Sequence, residues 1–413
     1  MAENQAKPLP NWAFPGLFLA YFLFYAWDLG AIAKPVWDEI AYVPAARAFL
    51  LGLWPLPNPE HPPFAKQMIA LSMKLFGDRP EAWRYFSVLS GAIANVSVLY
   101  LVDRLGKRRG VTLLTAACLL LDPLLIVHYR MAILEPPMAA AMMSALAIAV
   151  GIYQSRSWRP FRVVILGIVM GLGLASKWSI AAAFPSIFIL VFSGLRREKA
   201  TFGAYFLALL ALSLLPWAVY FGSYALNGFS FRQSLEVLRF SLEFHRHFDR
   251  TLNIGSPWYE WLYSGQPLWY LHPALHNTKD QTLMAVGNLV LWISAQLLAI
   301  YGLWARRRSL EMWAIAAALV LQFSLFAFKP LNFMHYMVGI LPLLYTLMGS
   351  GIAALFDRYG DRYRRILQVD FALLLLGASL VTWNYGPFLW GGRVTQESLS
   401  RLPNPFSSQA PQP

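Results

Sequence analysis

Apolar runs long enough to cross a lipid bilayer recur along this chain, and no other feature limits its folding as much. A spanning helix needs ~17–25 predominantly apolar residues. Runs of that order occupy 12–33, 83–102, 111–128, 132–153, 162–176, 179–194, 201–222, 282–304, 310–328, 333–354 and 366–385. The two near 162–194 are short, and read either as a pair of steeply set helices or as one broken helix. Hydrocarbon offers the backbone no hydrogen-bond partner, so a spanning segment must be a helix or part of a closed barrel. Runs this long, without polar alternation, are helical. The expectation is an all-α polytopic membrane protein of about eleven transmembrane helices, one integral domain over residues 1–413. Charged residues make up only 13% of the chain, about half the ~25% of soluble domains.

The formal net charge of +13 would suggest nucleic acid in a soluble protein, but its placement gives another meaning. Seventeen of the 34 basic residues fall in five short loops: Arg104 with Lys107, Arg108 and Arg109; Arg156 with Arg159 and Arg162; Arg196 with Arg197 and Lys199; Arg306 to Arg308; and Arg358 with Arg362, Arg364 and Arg365. With eleven crossings all five lie on one side, which the positive-inside rule makes cytoplasmic. The N-terminus is then cytoplasmic too, and no nucleic-acid partner is expected. The opposite side receives the longer segments: loops 34–81 and 223–281, and a Pro-rich tail 386–413. The working end of the protein is expected there. The whole reads as an integral protein of a bacterial inner membrane with its active site on the outer, periplasmic face.

Ala31-Ile32-Ala33 fits a signal-peptidase pattern, but the apolar stretch that precedes it is longer than the ~7–15 residues of a signal core and contains Asp28. An uncleaved first helix is the better reading. The single cysteine, Cys118, rules out an intramolecular disulfide. The chain shows no repeat of 20–50 residues and no matched pair of interrupted helices, which disfavours a transporter.

Chemistry-bearing residues gather at the outer ends of the spans. Loop 34–81 opens with Pro35-Val36-Trp37-Asp38-Glu39, continues through an apolar-periodic stretch, and reaches His61-Pro62-Pro63-Phe64-Ala65-Lys66. The spacing predicts two amphipathic helices lying in the interface, the second started by its prolines. On spacing alone Asp38 and Glu39 also fit solvated loop acids. Arg84 opens the second span, Glu135 the fourth, and Lys177 stands between the two short runs. Each alone suits a snorkelling side chain at a helix end. Two cations and three carboxylates at one level suit a phosphate-bearing lipid substrate. His245-Arg246-His247 with Asp249 resembles a metal-binding triplet, although a solvated basic loop accounts for it better. His335, at the outer end of the tenth span, fits a structural hydrogen bond or a substrate contact. No glycine-rich phosphate loop, Gly-x-Ser-x-Gly elbow or Cys/His zinc pattern occurs.

In this order, WDEIAYVPAARAFLLG, HPPFAKQ, WRYFSVLSG, HYRMAILEPPM, GLASKWS, SPWYEWLYSGQPLWY, GNLVLWISA and MHYMVGILPLL resemble the protein O-mannosyltransferase family, within the type C glycosyltransferases that use polyprenyl-phosphate sugars. The resemblance implies an eleven-helix bundle with the site under the first outer loop. It also implies an inverting transfer of mannose, or a related hexose, from a polyprenyl phosphate to Ser or Thr hydroxyls of translocated proteins. Carried over, Asp38 is the general base and Glu39 assists it or contacts the acceptor. Arg84 and Lys177 hold the lipid phosphate. Glu135, His61, Trp178 and His335 orient sugar and acceptor or shape the loop above them. Glu135 stands where many relatives carry Asp, and no segment is large enough for the β-trefoil domain of eukaryotic members. The residues identify no cofactor, and a divalent cation is kept as an option. The alternatives are a transferase of the same architecture acting on a glycolipid such as lipid A, and a flippase for the lipid-linked sugar.

Overall fold

The computed structural model describes residues 7–53, 57–155, 157–247, 256–265, 267–273, 281–327, 332–393 and 395. A first helix α1 (Ala13–Ala26) leads into an extended linker and two further helices, α2 (Glu39–Leu51) and α3 (Phe64–Phe76). Then come α4 (Pro80–Gly106), α5 (Arg109–Leu120), α6 (Pro123–His128), α7 (Glu135–Gln154) and α8 (Pro160–Ser176). Past a 3₁₀ turn at Trp178–Ala183 the chain forms α9 (Phe184–Arg197), α10 (Phe202–Ser213), α11 (Leu215–Ala225) and α12 (Phe231–His247). Strands β1 (Leu268–Leu271) and β2 (Leu283–Ala285) precede α13 (Leu289–Ala305), α14 (Leu310–Ala327), a 3₁₀ turn at Met334–Gly339 and α15 (Leu341–Tyr385).

Among the described residues six helical segments are long and apolar enough to cross a membrane, four more are apolar but shorter, and the protein is an integral membrane protein. Of the eleven sequence runs, two share α15, whose only non-helical residue is Tyr363 at φ −120° and ψ 22°. The expected loop between the last two runs is therefore a kink. The short runs near 162–194 are two helical segments parted at Lys177, whose backbone is extended at φ −158° and ψ 130°. Eleven crossings remain a reading of the sequence, since the shorter helices fall below spanning length.

Two helices form in the segment where the spacing predicted them. α3 begins behind Pro63 and buries Ala65, Lys66, Ile69, Ala70 and Met73 on one face. The eighth run starts later than its hydropathy suggested. Leu283–Ala285 pairs antiparallel with β1, with Leu268 opposite Ala285 and Trp269 opposite Met284. The helix begins only at Leu289, where the Asn288 side chain caps the Leu291 amide at 3.2 Å. Hydropathy cannot separate a buried strand from a buried helix end, so the all-α expectation missed this two-stranded ribbon.

Small residues bring α13 and α15 close. A Cβ on Gly302 would meet the Gly351 Cα at 2.8 Å, and one on Gly351 would meet the Leu298 carbonyl oxygen at 2.0 Å. Such contacts let backbones approach where lipid provides no hydrophobic drive between helices. Further along, Asn288 Nδ2 donates to the Ala378 carbonyl at 3.0 Å and to Thr382 Oγ1 at 3.1 Å. Buried Asp122 accepts from Leu124 and Leu125 amides, from Trp292 Nε1 at 2.8 Å and from the Tyr345 hydroxyl at 2.6 Å, tying α6, α13 and α15 together.

A candidate active site around Asp38

The adjacent carboxylates Asp38 and Glu39 have opposite surroundings. Successive residues at a helix start diverge by about 100°, so one can face outward while the other turns into the protein. Glu39 is fully buried. Its Oε1 accepts from Arg84 Nε at 2.8 Å and the Ala132 amide at 2.7 Å, and its Oε2 from Arg84 Nη2 at 2.8 Å and the Val36 amide at 3.1 Å. Arg84 also gives Nη1 to the carbonyls of Leu29 at 2.7 Å and Ile32 at 2.8 Å. The expectation that Arg84 holds a lipid phosphate and that Glu39 meets the acceptor is therefore not the arrangement found. The two side chains are saturated by each other and by backbone, and together they fasten the linker after α1 to α4 and to the turn before α7. Nearby, Arg130 performs a similar task, donating to the carbonyls of Tyr25 at 2.9 Å and Asp28 at 3.1 Å while stacking 4.3 Å from the Trp390 ring centre.

Asp38 faces a different group. One atom each of Asp38, Glu135 and His335 lies within 4.8 Å of the others. Glu135, buried at the N-terminus of α7, is salt-bridged to Lys177, and His335 Nε2 lies 3.6 Å from the same carboxylate oxygen. Lys177 reaches it because the chain is extended between α8 and the following 3₁₀ turn, and its Nζ also sits 5.1 Å from the Tyr336 ring centre. Burial, and secondarily the charge of Glu135, push the Asp38 carboxyl up to about 7, with Lys177 and a hydrogen bond from Tyr42 acting the other way. A carboxylate poised there suits general-base work near neutral pH. The cluster so unites the base and one cation expected from the sequence, together with Glu135 and His335.

Aromatic and imidazole side chains wall this cluster. Trp37 packs on Tyr270 at 5.3 Å, Phe333 at 5.5 Å and His335 at 6.4 Å between ring centres. His61 packs on Tyr42 at 5.9 Å and on His245 at 5.5 Å, and Trp178 lies 5.8 Å from His245. Burial, then the charges of Lys177 and Lys66, hold the His61 imidazole well below its usual range, so it stands neutral. His245 thus belongs to the roof over the site, and His247 lies 3.3 Å from Glu243 on the exposed side of α12. His245 and His247 therefore do not converge as a metal pair, and Asp249 lies outside the described residues. Asp38, Glu135 and His335 instead offer two carboxylates and an imidazole that could hold a divalent cation, and Glu135 Oε2 is buried without a hydrogen-bond partner. Lys177 already supplies Glu135 with a countercharge at that place.

Sequence reasoning missed three contributors. Tyr42 stands one helical turn after Asp38, a spacing that could have flagged it. Lys66, which closes the His-Pro-Pro stretch, is buried and donates to the carbonyls of Asn58 at 2.6 Å and His61 at 2.8 Å, shaping the loop beneath His61. The contact of His128 Nε2 with the Tyr270 hydroxyl at 2.7 Å spans 142 residues and had no local signal.

Residues 60–220 match the family model described as dolichyl-phosphate-mannose-protein mannosyltransferase. An undecaprenyl phosphate-alpha-4-amino-4-deoxy-L-arabinose arabinosyl transferase of Pseudomonas fluorescens is 25% identical over 386 residues, covering 90% of this chain and 64% of its own length. The polyprenol-phosphate-mannose–protein mannosyltransferase of Mycobacterium tuberculosis is 26% identical over 239 residues, covering 48% of this chain and 46% of the relative. The chain thus spans less than two thirds of the length of these curated relatives. The S. cerevisiae protein O-mannosyltransferase Pmt1-Pmt2 complex bound to the sugar donor has the same fold, with a TM-score of 0.80 at 10% identity over 94% of this chain and 91% of that one. The chain is thus similar to the protein O-mannosyltransferase family over residues 60–220 and has the fold of the yeast complex.

Proposed function

We propose that this protein is an inverting glycosyltransferase that moves a sugar from a polyprenyl-phosphate donor to a hydroxyl acceptor at the outer membrane surface, with Asp38 as the base. The juxtaposition of Asp38 with Lys177 across Glu135 carries this reading: a carboxylate able to take a proton lies beside a cation able to receive a phosphate. Asp38 accepts the acceptor's hydroxyl proton as its oxygen bonds to the anomeric carbon. The bond from that carbon to the phosphate oxygen breaks, and its electron pair leaves with the phosphate. The ammonium of Lys177 has three donors, and those that Glu135 does not use can stabilise the charge that grows on the phosphate, where electrostatic catalysis is most effective. A phosphate is a good leaving group, so no second acid is needed. Glu39 and Arg84 set the position of Asp38, while His61, Trp178 and His335 wall the space for sugar and acceptor.

The preferred reaction is transfer of mannose or a related hexose to Ser or Thr of a translocated protein, supported by the family match and the shared fold. A glycolipid acceptor is the second reading, favoured by the arabinosyl transferase match, which runs through most of the chain. In this proposal the N-terminus and the five basic loops face the cytoplasm of a bacterial inner membrane, and the site faces outward. The deciding experiment incubates purified protein with radiolabelled polyprenyl-phosphate mannose and with the aminoarabinose donor, each with peptide and lipid A acceptors. Label on peptide from the mannose donor is expected. Label on lipid A alone would establish the second reading, and label on neither would overturn the transferase assignment.

A further inference from the structure

At the end of the bundle away from Asp38 lies a cavity of about 720 Å³, within the ~300–1,000 Å³ of ligand sites. Helix α4 has 27 residues, so at 1.5 Å per residue its two ends are roughly 40 Å apart, and this cavity takes no part in the chemistry above. It is lined by exposed Lys7, Arg109 and Arg364 and by half-buried Arg108. Arg108 is held by Asp357 at 2.7 Å, which Arg306 also grips at 2.7 Å. Among the described residues no carboxylate is paired with Lys7, Arg109 or Arg364. The three come from different segments, and two of these are fixed to one another: the Arg109 amide donates to the Lys7 carbonyl at 3.0 Å, and the Leu9 amide to Asp103 Oδ1 at 2.8 Å.

Below the cations the walls turn apolar, with Val111 and Leu114 on α5 and Phe371 and Leu375 on the second arm of α15. From Arg364 to Leu375 a helix descends about 16 Å. A free phosphate would need the cations alone. Charge at the surface continued by apolar wall at bilayer depth matches a headgroup followed by acyl chain. We propose that this cavity binds an anionic phospholipid from the leaflet opposite the site, its phosphate among Lys7, Arg109 and Arg364 and its chain along α5 and α15. Basic pockets between membrane helices recognise acidic headgroups in this way.

The test uses the full chain purified in detergent, titrated with phosphatidylglycerol, with phosphatidylcholine and with inorganic phosphate, and read by native mass spectrometry and thermal shift. Phosphatidylglycerol should bind and stabilise at concentrations where the other two do not. In R109Q/R364Q its affinity should fall about thirtyfold, the effect of two surface cations on an anionic lipid. Ala372→Trp, which narrows the apolar wall and leaves every charge in place, should weaken the lipid as well. Equal binding of phosphatidylcholine, binding of inorganic phosphate as tight as that of the lipid, or unchanged affinity in both variants would each overturn the proposal.

Discussion

Arg84 and Glu39 meet through two parallel hydrogen bonds of 2.8 Å, with neither side chain more than 3% exposed. Removing one partner of a buried ion pair leaves an uncompensated charge and costs about 3–5 kcal/mol, far more than the pair itself contributes when intact. Arg84→Met should therefore lower thermal stability strongly, and R84M/E39Q should recover part of the loss. Thermal unfolding of the variants in detergent measures this. A stable Arg84→Met protein with weakened donor binding would return Arg84 to the phosphate.

Asp38→Asn keeps the size of the side chain and removes its basicity. Loss of a positioned general base typically costs about 10²–10⁴-fold, so kcat should fall by that factor with donor affinity little changed. Activity within about threefold of wild type in a folded variant would rule Asp38 out as the base.

The pH profile follows from the same carboxyl, raised to about 7 by burial and by Glu135. A base acts in its ionised form, so kcat/KM should climb about tenfold per unit below pH 7 and level off above it. Stability has the opposite slope. Between the unfolded carboxyl value of about 3.9 and about 7 the folded form holds the extra proton, so stability falls as pH rises through that window. Asp38→Asn should flatten both dependences, and a wild-type rate constant from pH 5 to 8 would contradict the assignment.

Lys177→Met retains much of the apolar stem but removes the charge proposed to meet the donor phosphate. A charge-assisted contact is worth about 1.5–3 kcal/mol, or roughly 10–150-fold, to be divided between donor affinity and kcat because charge on the phosphate grows in the transition state. Since the variant also leaves Glu135 without its countercharge, K177M/E135Q should be measured beside it. If the double variant is stable and keeps normal kinetics, Lys177 has no part in donor binding.

Orientation can be checked in a Cys118→Ser background. A cysteine at Asn58 should react with an impermeant thiol reagent from outside intact spheroplasts, and one at Arg308 should not. The reverse pattern would invert the topology.

The helical runs were legible in the sequence because hydrocarbon enforces length and apolarity on every crossing segment. That Asp38, Lys177 and Glu135 come together was legible because motif and helix-end position coincide. What Glu39 and Arg84 do was not, because their partners are mostly backbone groups: the amides of Val36 and Ala132 and the carbonyls of Leu29 and Ile32. A side-chain pattern carries no record of which main-chain atoms will be left needing a partner. The ribbon of β1 and β2 escaped for a related reason, since Leu283–Ala285 is as apolar as the helix that follows it.

The kink at Tyr363 fixes more than a bend. Both arms of α15 grip α13, one through Gly351 against Gly302 and the other through Ala378 and Thr382 around Asn288. With a single non-helical residue between them, the arms are geared together. One residue inserted at the elbow would turn the second arm by about 100° and swing Ala378 and Thr382 away from Asn288, whereas four inserted residues would bring that face nearly back into register. The tolerance of this helix to insertion should therefore be periodic rather than graded.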